Sequence, residues 1–489
     1  MPSKLLTKSK YISGLQCLKY LWIQINKPER IPVTGIVKQH IFDQGHLVGE
    51  LAKQLFPGGV DIATDNFMGN INEAKKLLKQ RKPLFEAGVL AGNIYSRTDI
   101  LNPVNDNEWD IIEAKSSTTV KDVHIQDASF QKYCWDMSGL KIRNCCLALI
   151  NNKYVKNGEI DPQGLFNIHD ITDQVAVASE GIENRIDVIF ETIKASECPE
   201  VTIGKYCKDP YECALKEECW KFLPADSIFT LYYGGEKCFD LFDHGVLTVK
   251  DIPEDYKLGE KQLIQKACVI NDKPFLNKEG IKEFLSTLKY PLYYLDFETF
   301  GPAIPLFDGT RPFQNIPFQF SLHVVNDAES TPQHLSYLTN GSDDPRPAFL
   351  LELKKLLGET GSILTYNQGF EEGILKELAL SFPEYKYWVS QVRDRLVDLL
   401  SPFRNFLYYH PLQKGKASIK NVLPAITGKG YGALDIREGQ SASIAFLTIT
   451  YSEVPEEERQ KVRRDLIKYC GLDTEGMIWI VEKLRDLCL

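Results

Sequence analysis

Hydrophobic and polar residues follow alternating strand and helix patterns in the first half of the chain. In residues 40–56, HIFDQGHLVGELAKQLF, apolar side chains recur at helical spacing, and the Pro-Gly-Gly run at 57–59 ends the pattern. Apolar runs at 109–112 and 145–150 have the character of buried strands. Because strand, helix and strand alternate, we predict an α/β domain in this half.

A second α/β pattern begins at Tyr290. It opens with the apolar strand YPLYYLDFETF, continues with a strand at 362–366 and ends in a long amphipathic helix from about Glu456 to Leu487. A less regular stretch with scattered Gly and Pro separates the two patterns. We therefore predict an N-terminal domain over residues 1–225, a connector over 226–288 and a C-terminal domain over 289–489.

The composition is that of a globular chain with more than one domain. The 489 residues are 43% hydrophobic and 25% charged, and domains average roughly 150 residues. The sequence contains neither a run of about 18 apolar residues nor the apolar core of a secretory signal. We therefore expect a cytoplasmic protein without a membrane partner.

Charge leaves nucleic acid open as a partner. The net charge of −9 excludes a uniformly basic binding surface but permits local basic patches. The first 30 residues hold six Lys or Arg against one Glu, with Tyr11, Tyr20 and Trp22 between them. Lysines suit phosphate contacts and aromatic rings suit base stacking. A solvated surface without a ligand is the alternative interpretation of this stretch.

A candidate catalytic cluster lies in SRTDILNPVNDNEWDIIEAKSS. Asp99 lies near the end of one predicted strand, and Glu113 and Lys115 lie on the next. Residues two apart on a strand share a face, so Glu113 and Lys115 should project together toward Asp99. Two carboxylates can hold a divalent cation, and a lysine can activate water or stabilise a pentavalent phosphate. The alternative is a surface hairpin with an incidental ion pair.

Cysteine spacing predicts a soft-metal site. In a reducing compartment, the twelve cysteines favour metal binding or catalysis over disulfides. Cys207, Cys213 and Cys219 are separated by five residues each in KYCKDPYECALKEECW. Thiolates so close together are costly unless a soft metal neutralises them. A structural zinc ion with Cys198 as fourth ligand and a [4Fe-4S] cluster are both compatible with this spacing.

A second acidic cluster is predicted in the C-terminal domain. Asp296 and Glu298 share one face of the apolar strand YYLDFET, where two like charges are costly without metal ions. Farther along, TYNQGFE carries Glu371, and Tyr469 and Asp473 lie four residues apart on the predicted helix, so that one helical face presents both. Asp296, Glu298 and Asp473 are therefore candidate ligands for Mg²⁺ or Mn²⁺.

The first cluster resembles the core of PD-(D/E)XK nucleases, in particular the RecB-like branch that includes CRISPR-associated exonucleases. The resemblance comprises an Asp, a loop, an apolar strand ending in Glu-x-Lys, and a following helix. It implies a restriction-endonuclease-like fold in which both carboxylates bind metal and Gln131 and, at a different spacing, Tyr133 support them. A His that this branch carries on an upstream helix is replaced by Gly49, with His46 out of register.

The same branch implies an iron-sulfur cluster. Many of its members carry one cysteine before the nuclease core and three after it, which close the domain around a [4Fe-4S] cluster. Cys17, Cys207, Cys213 and Cys219 match this layout. The implied role is structural, because the metal joins chain segments about 190 residues apart. Zn²⁺ is the alternative metal.

The C-terminal cluster resembles the DEDDy branch of the DEDD exonucleases, which have an RNase H-like fold. Asp-x-Glu, an Asn-x-x-Phe element, SIKNVL and Tyr-x-x-x-Asp follow in this order within residues 289–489. The resemblance implies that a tyrosine orients the attacking water while two metal ions clamp the reacting oxygens. Glu371 stands where the branch usually has Asp. The implied catalytic residues are Asp296, Glu298, Glu371, Tyr469 and Asp473.

Together the resemblances imply an α/β chain of a bacterial family that fuses a PD-(D/E)XK core to an RNase H-like DEDD exonuclease domain. The expected activity is metal-dependent hydrolysis of phosphodiester bonds, 3′ to 5′ on single-stranded DNA at the second cluster. The other hypotheses are a nucleic-acid-binding scaffold that does not cut, in a repair or defence complex, and an RNA-processing exonuclease. Below, the N-terminal site is Asp99, Glu113, Lys115 and Gln131; the C-terminal site is Asp296, Glu298, Glu371, Tyr469 and Asp473; and the cysteine cluster is Cys17, Cys207, Cys213 and Cys219.

Overall fold

The computed structural model describes residues 5–33, 35–432 and 434–489. The chain divides into two compact units, each a mixed α/β structure, which confirms the predicted α/β class. Unit 1 comprises Met1–Phe222 and Pro302–Phe313, and unit 2 comprises Leu223–Gly301 and Gln314–Leu489. Within the described part of the chain, no helix combines the length and the apolar character needed to cross a membrane.

Unit 1 is built on a seven-stranded mixed sheet in the order β2-β3-β4-β5-β6-β7. Strand β4 runs antiparallel to both β3 and β5, whereas β5 and β6 are parallel. Strand β5 pairs with β4 only from Ile100 onward, and the short β1 pairs with the start of β4 at Ile94 and Tyr95. The strands are β1 Leu6–Thr7, β2 Val60–Asp61, β3 Leu84–Ala91, β4 Ile94–Pro103, β5 Glu108–Lys115, β6 Lys141–Ile150 and β7 Phe166–Asp170.

Helices cover both faces of this sheet, because successive residues of a strand point to opposite faces. Leu147 and Leu149 belong to a core that includes Tyr11 and Phe130, whereas Ala148 belongs to a second core on the other face. The helices are α1 Lys8–Gln16, α2 Leu18–Asn26, α3 Ile36–Lys53, α4 Phe67–Leu77, α5 Asp122–Met137, α6 Pro162–Leu165, α7 Thr172–Ser179, α8 Ile182–Lys194 and α9 Lys216–Trp220, with 3₁₀ turns at Pro28–Arg30, Leu78–Gln80 and Lys205–Cys207.

The helix predicted over 40–56 corresponds to α3, and only part of its apolar face is buried. Val48 and Ala52 are buried against the sheet, whereas Ile41, Phe42 and Leu47 are exposed. Helical spacing alone identifies a helix without fixing how much of its length packs.

Unit 2 contains a five-stranded sheet in the order β11-β10-β9-β12-β13. Strand β10 is antiparallel to both of its neighbours, and β12 and β13 are parallel to β9. Strands β8 and β14 form a separate antiparallel pair. The strands are β8 Phe275–Leu276, β9 Leu292–Phe300, β10 Ile316–Val325, β11 Gln333–Leu338, β12 Ser362–Thr365, β13 Leu396–Asp398 and β14 Tyr408–Tyr409.

The helices of unit 2 include three, α10 to α12, within the stretch predicted as a connector. The long C-terminal helix, α19, begins at Glu456 as predicted and packs against β9 and β10. The helices are α10 Glu236–Asp243, α11 Glu260–Asn271, α12 Lys278–Ser286, α13 Arg346–Leu356, α14 Gly369–Ser381, α15 Lys386–Arg393, α16 Ser401–Arg404, α17 Ile419–Thr427, α18 Gly439–Tyr451 and α19 Glu456–Cys488, with 3₁₀ turns at Ile228–Thr230, Val249–Asp251, Pro383–Tyr385 and Pro411–Gln413.

The aromatic core of unit 2 gives a first prediction. Phe320 is fully buried, with its ring centroid 5.3 Å from that of Phe349 and 5.7 Å from that of Tyr337. Phe320→Ala should lower the free energy of unfolding by about 3–5 kcal/mol, because it removes these contacts and leaves a cavity. The urea midpoint measures the change. Leu380→Ala is the control, since Leu380 is 78% exposed, and a similar loss in both variants would contradict the prediction.

Candidate active sites

The N-terminal site lies where β4, β5 and α5 meet. Glu113 and Lys115 share one face of β5, and the Lys115 Nζ lies 2.8 Å from the Glu113 Oε1. The Asp99 Oδ2, on β4, accepts a hydrogen bond of 2.9 Å from the Ala114 backbone N–H. The hairpin therefore brings the three predicted residues together.

Gln131, on α5, joins them through a chain of buried hydrogen bonds. Its Nε2 donates to the Glu113 Oε2 over 2.7 Å, and its Oε1 accepts from the Thr98 hydroxyl over 2.8 Å. The Trp135 indole N–H donates to the same hydroxyl over 2.9 Å. This chain fixes which end of the Gln131 amide faces the carboxylate. Tyr133 does not join this chain of hydrogen bonds, and its hydroxyl lies 3.5 Å from the Glu183 Oε1.

Two further charged residues belong to this site, and sequence reasoning did not single out either of them. The Lys8 Nζ, at the start of α1, lies 2.5 Å from the Glu113 Oε1 and 3.4 Å from the Asp127 Oδ1. The Asp127 Oδ2 lies 2.7 Å from the Lys115 Nζ. Asp127 precedes Gln131 by four residues on α5, a spacing that could have indicated a shared face. Lys8 reaches the site because β1 pairs with β4.

The charges of the N-terminal site depend on one another. Burial alone would raise the pKa of Glu113, but Lys115 and Lys8 bring it below its usual range. Burial opposes the charge of both lysines, yet Asp127 and Glu113 raise their pKa values. The pKa of Asp99 is raised to about 7 by burial and by the charge of Glu113. At neutral pH, Glu113 is therefore ionised and Asp99 is close to its midpoint.

The donor set of the N-terminal site is compatible with a hard divalent cation. Two carboxylates supply oxygen ligands of the type that Mg²⁺ and Mn²⁺ prefer. Among the described residues, the Asp99 Oδ1 has no hydrogen-bond donor. The upstream helix α3 offers no histidine at the predicted place, since Gly49 faces open space and His46 is exposed.

Two of the three N-terminal aromatic residues, Tyr11 and Trp22, are core residues, so their rings are not available for base stacking. The Tyr11 ring is fully buried and stacks on Phe130, with centroids 4.8 Å apart. Trp22 is buried, and its indole N–H donates to the Ala195 carbonyl. These rings fill the core because α1 and α2 pack against other helices of unit 1.

The C-terminal site gathers acidic residues from three elements. Asp296 and Glu298 share one face of β9, Glu371 lies in the first turn of α14, and Asp473 lies on α19. Glu298, Glu371 and Asp473 are buried. One ligand atom each from Asp296, Glu298 and Cys470 lie within 4.8 Å of one another. Sequence reasoning did not identify Cys470 as part of this site.

Glu371 reaches the acidic cluster although the resembled branch usually has a shorter Asp at this place. Burial and the charge of Asp296 raise the pKa of Glu371 well above its usual range. Its Oε2 is buried and has no hydrogen-bond partner among the described residues. An unpartnered buried carboxylate oxygen is costly, and a cation is one way to satisfy it.

Two tyrosines flank Asp473. The Tyr431 hydroxyl donates a hydrogen bond to the Asp473 Oδ1, and Tyr469 contacts the same carboxylate. The Lys420 Nζ lies 5.3 Å from the Tyr469 ring centroid and 5.8 Å from that of Tyr431. A Cβ placed at Gly439 would lie 3.6 Å from the Glu298 Oε2, so the start of α18 closely approaches the site. Tyr431 carries no pattern in the sequence that indicates this role.

The C-terminal site holds more carboxyl groups than cations among the described residues. Burial raises the pKa of Asp296 and of Glu298, and neighbouring carboxylates raise both further. Asp473 has a pKa of about 6, because burial raises it while Tyr431 and Lys420 lower it. Lys420 is the cation that stabilises these carboxylates. The site is therefore compatible with divalent cations, which would supply the missing positive charge.

The four residues of the cysteine cluster line a small cavity in unit 1. The Cys17 thiol accepts backbone N–H groups of Lys19 and Tyr20. Burial, together with the charges of the other three cysteines, raises the pKa of Cys213 to about 11. Cys198 does not line the cavity, and its thiol donates to the Pro199 carbonyl over 3.8 Å. Cys17 therefore lines the same cavity as the other three cysteines, whereas Cys198 packs beside Cys213 and Cys219 outside the cavity lining.

Comparisons with known proteins match a family of unassigned role. The model of the Domain of unknown function (DUF2779) matches residues 293–418. The uncharacterized protein MG366 of Mycoplasma genitalium is 30% identical over 237 residues, which are 44% of this chain and 35% of that protein. Its homolog in Mycoplasma pneumoniae is 29% identical over 236 residues, which are 43% of this chain and 35% of that homolog. The chain spans about a third of the length of these curated relatives.

A solved structure also aligns with part of the chain. The alignment with the crystal structure of SSO0001 covers 45% of this chain and 88% of the SSO0001 chain, at 13% sequence identity and a TM-score of 0.23. A score this low does not indicate a shared fold.

The raised pKa of Asp99 gives a prediction on stability. A carboxyl group whose pKa rises on folding favours folding when protonated, so its contribution falls as pH rises from about 4 to about 7. Asp99→Asn should therefore match the wild type near pH 4 and exceed it above pH 7 by a few kcal/mol. This magnitude follows because a pKa difference of one between the folded and the unfolded protein corresponds to roughly 1.4 kcal/mol of stability. Urea unfolding with a chelator present measures the difference.

Asp106→Asn is the control for this prediction, because Asp106 is exposed in a loop. It should give the same difference from the wild type at every pH. An Asp99→Asn curve that runs parallel to the wild-type curve across this range would contradict the assigned protonation state.

Proposed function

We propose that the protein is a metal-dependent nuclease that hydrolyses phosphodiester bonds in nucleic acid, single-stranded DNA being the preferred substrate. The observation that carries the proposal is the convergence of Asp296, Glu298, Glu371 and Asp473 in unit 2. Four carboxyl groups from three elements face one another, and Lys420 acts electrostatically on three of them, Asp296, Glu298 and Asp473. Such an arrangement is costly for stability alone and is typical of sites that bind two metal ions.

The topology of unit 2 supports an RNase H-like exonuclease domain. Its five-stranded sheet has one antiparallel strand, β10, next to the strand that carries the first two carboxylates. The last carboxylate lies on the C-terminal helix that packs on the same strand. Strand order and carboxylate placement together are those expected of the DEDD arrangement.

Unit 1 supports a PD-(D/E)XK-like site. An antiparallel pair, β4 and β5, carries Asp99 and the Glu-x-Lys element, and the following helix α5 leads to a strand parallel to β5. Gln131 holds one Glu113 oxygen, and Asp127 holds Lys115. These contacts keep the lysine charged and directed at the carboxylates, where it could stabilise negative charge on a phosphate.

The residues of the C-terminal site divide the chemical tasks. Mg²⁺ or Mn²⁺ ions, when bound, would activate the attacking water and stabilise the leaving oxygen. Tyr469 lies beside Asp473, where its hydroxyl can orient a water molecule. Tyr431 fixes the Asp473 carboxylate by donating to one of its oxygens. Glu371 supplies the oxygen that lacks a partner among the described residues.

The cysteine cluster fits a [4Fe-4S] cluster, with Zn²⁺ as the alternative. Its thiols lie close enough for their charges to interact, and backbone N–H groups already donate to Cys17. Such donors stabilise thiolate sulfur. We therefore assign the bound metal a structural role, in which it joins Cys17 to the segment at 207–219.

The cluster proposal predicts a difference between two cysteine variants. Cys17→Ser should lose most of its bound metal and have a lower melting temperature, because one of the four ligands is lost. Cys198→Ser should keep the bound metal and the melting temperature of the wild type. Iron and zinc content after anaerobic purification, together with the visible absorption spectrum, measures the metal. Equal metal content in the two variants would contradict the ligand set, and zinc without iron would favour the structural zinc site.

The nuclease proposal is tested by separating the two sites. Anaerobically purified wild type, Lys115→Ala, Asp296→Ala and the double variant are incubated with Mg²⁺ or Mn²⁺ and end-labelled single-stranded DNA or RNA. Each single variant should lose one product pattern, and the double variant should lose at least about 100-fold in total rate, a typical minimum for removal of a catalytic group.

Two controls make the result interpretable. Lys132→Ala replaces a lysine of α5 that pairs with Asp136 on the helix surface and should retain both product patterns. A wild type that binds single strands without cutting them would contradict the nuclease proposal and favour the scaffold. Faster cutting of RNA than of DNA of equal length would favour the RNA-processing alternative.

A further inference from the structure

The start of α1 places a lysine on the central carboxylate of the N-terminal site. The Lys8 Nζ lies 2.5 Å from the Glu113 Oε1, closer than the 2.8 Å between the Lys115 Nζ and the same oxygen. Its second carboxylate contact, with the Asp127 Oδ1, is longer at 3.4 Å. Lys8 thus joins a site that also contains the functional lysine proposed above.

One carboxylate oxygen of Glu113, the Oε1, has no free hydrogen-bonding position in this arrangement. A carboxylate oxygen offers about two lone-pair positions. The Oε1 accepts from both Lys8 and Lys115, and the Oε2 accepts from Gln131. A divalent cation that binds the Glu113 Oε1 must therefore displace Lys8 or Lys115.

Lys8 is the donor that is held least firmly. Lys115 has a second short contact, 2.7 Å, with Asp127, and Gln131 is fully buried and held by Thr98. The two lysines are similarly exposed, at 28% for Lys8 and 22% for Lys115, so the lack of a second short contact is what distinguishes Lys8. Lys8 can leave Glu113 without breaking a buried network.

A divalent cation that moves Lys8 off Glu113 but leaves it beside the site reverses the net charge of the site. When all groups are ionised, Asp99, Glu113 and Asp127 outnumber Lys8 and Lys115 by one negative charge. A bound divalent cation changes this to one net positive charge. A phosphodiester group carries the single negative charge that neutralises it, and a lysine released beside the site is a suitable partner for its oxygens.

We propose that Lys8 occupies the cation position on Glu113 in the free protein, and that a divalent cation displaces it toward the phosphate of the bound nucleic acid. This inference rests on the proposed function of the N-terminal site. It makes Lys8 a competitor of the metal before substrate binds and a phosphate contact afterwards. The two roles predict effects of opposite sign for one substitution.

The first measurement is Mn²⁺ binding without nucleic acid. All proteins carry Asp296→Asn and Asp473→Asn, so that the C-terminal site contributes little. Lys8→Met should bind Mn²⁺ about tenfold more tightly than the parent, as expected if displacing the ammonium costs about 1.4 kcal/mol. Lys8→Arg retains the charge and should not bind more tightly. Electron paramagnetic resonance of free Mn²⁺ measures the affinity.

Lys10→Met is the matched control. Lys10 lies on the same helix two residues away, and its Nζ donates to the Leu5 carbonyl over 3.0 Å instead of to a carboxylate. It should leave Mn²⁺ binding unchanged. Equal or weaker Mn²⁺ binding by Lys8→Met than by Lys10→Met overturns the proposal.

The second measurement is binding of a short single-stranded oligonucleotide at saturating Mn²⁺, in the same background. Lys8→Met should raise the dissociation constant several-fold, because the phosphate contact is lost, whereas Lys10→Met should have the smaller effect. A variant that is merely misfolded cannot bind metal more tightly and nucleic acid more weakly. Tighter Mn²⁺ binding with unchanged oligonucleotide binding overturns the phosphate role.

The two measurements separate this inference from the proposed function. If Lys115→Ala removes nuclease activity while Lys8→Met leaves Mn²⁺ affinity unchanged, the nuclease assignment stands and the role of Lys8 is wrong. If none of the proteins, the parent included, binds Mn²⁺ at the N-terminal site, the role of Lys8 and the assignment of the N-terminal site as a nuclease site are both overturned, and the proposal for the C-terminal site is decided by the Asp296→Ala assay.

Discussion

The cost of holding like charges away from water is the constraint on which both candidate sites depend. A buried carboxylate needs a proton, a cation or several hydrogen-bond donors. In unit 1, Glu113 receives Lys8, Lys115 and Gln131, and it stays ionised. In unit 2, Asp296 and Glu298 share Lys420, yet burial raises their pKa values and that of Glu371. The first site is compensated by the chain itself, whereas the second is suited to compensation by bound cations.

The helix α1 connects two features of unit 1 that are far apart in the sequence. Its first residue, Lys8, contacts Glu113, and the residue after its last turn, Cys17, belongs to the cysteine cluster. A helix of nine residues spans about 13 Å. Tyr11 anchors the middle of this helix by stacking on Phe130 of α5, the helix that carries Gln131. Metal binding by the cysteines would therefore also stabilise the helix that positions Lys8.

Much of the architecture agrees with local pattern. The helices near 40–56 and 456–487 and the strands at 109–112 and 145–150 lie where apolar spacing predicts them. Spacing did not predict α10 to α12, because the Gly and Pro residues of that stretch separate short helices rather than mark an open connector. It also did not predict that Tyr11 and Trp22 are core residues, since exposure depends on which elements pack together.

Local periodicity is enough to establish which functional side chains share a face. Glu113 with Lys115, Asp296 with Glu298, and Tyr469 with Asp473 are paired by the periods of strand and helix, which can be read along the chain. The remaining members of the two sites, by contrast, were identified from the folded structure: Lys8, Asp127, Tyr431 and Cys470. Each of them reaches its partner through strand pairing or helix packing between separate elements. No local period encodes such contacts, because they depend on the free energy of the whole packed unit.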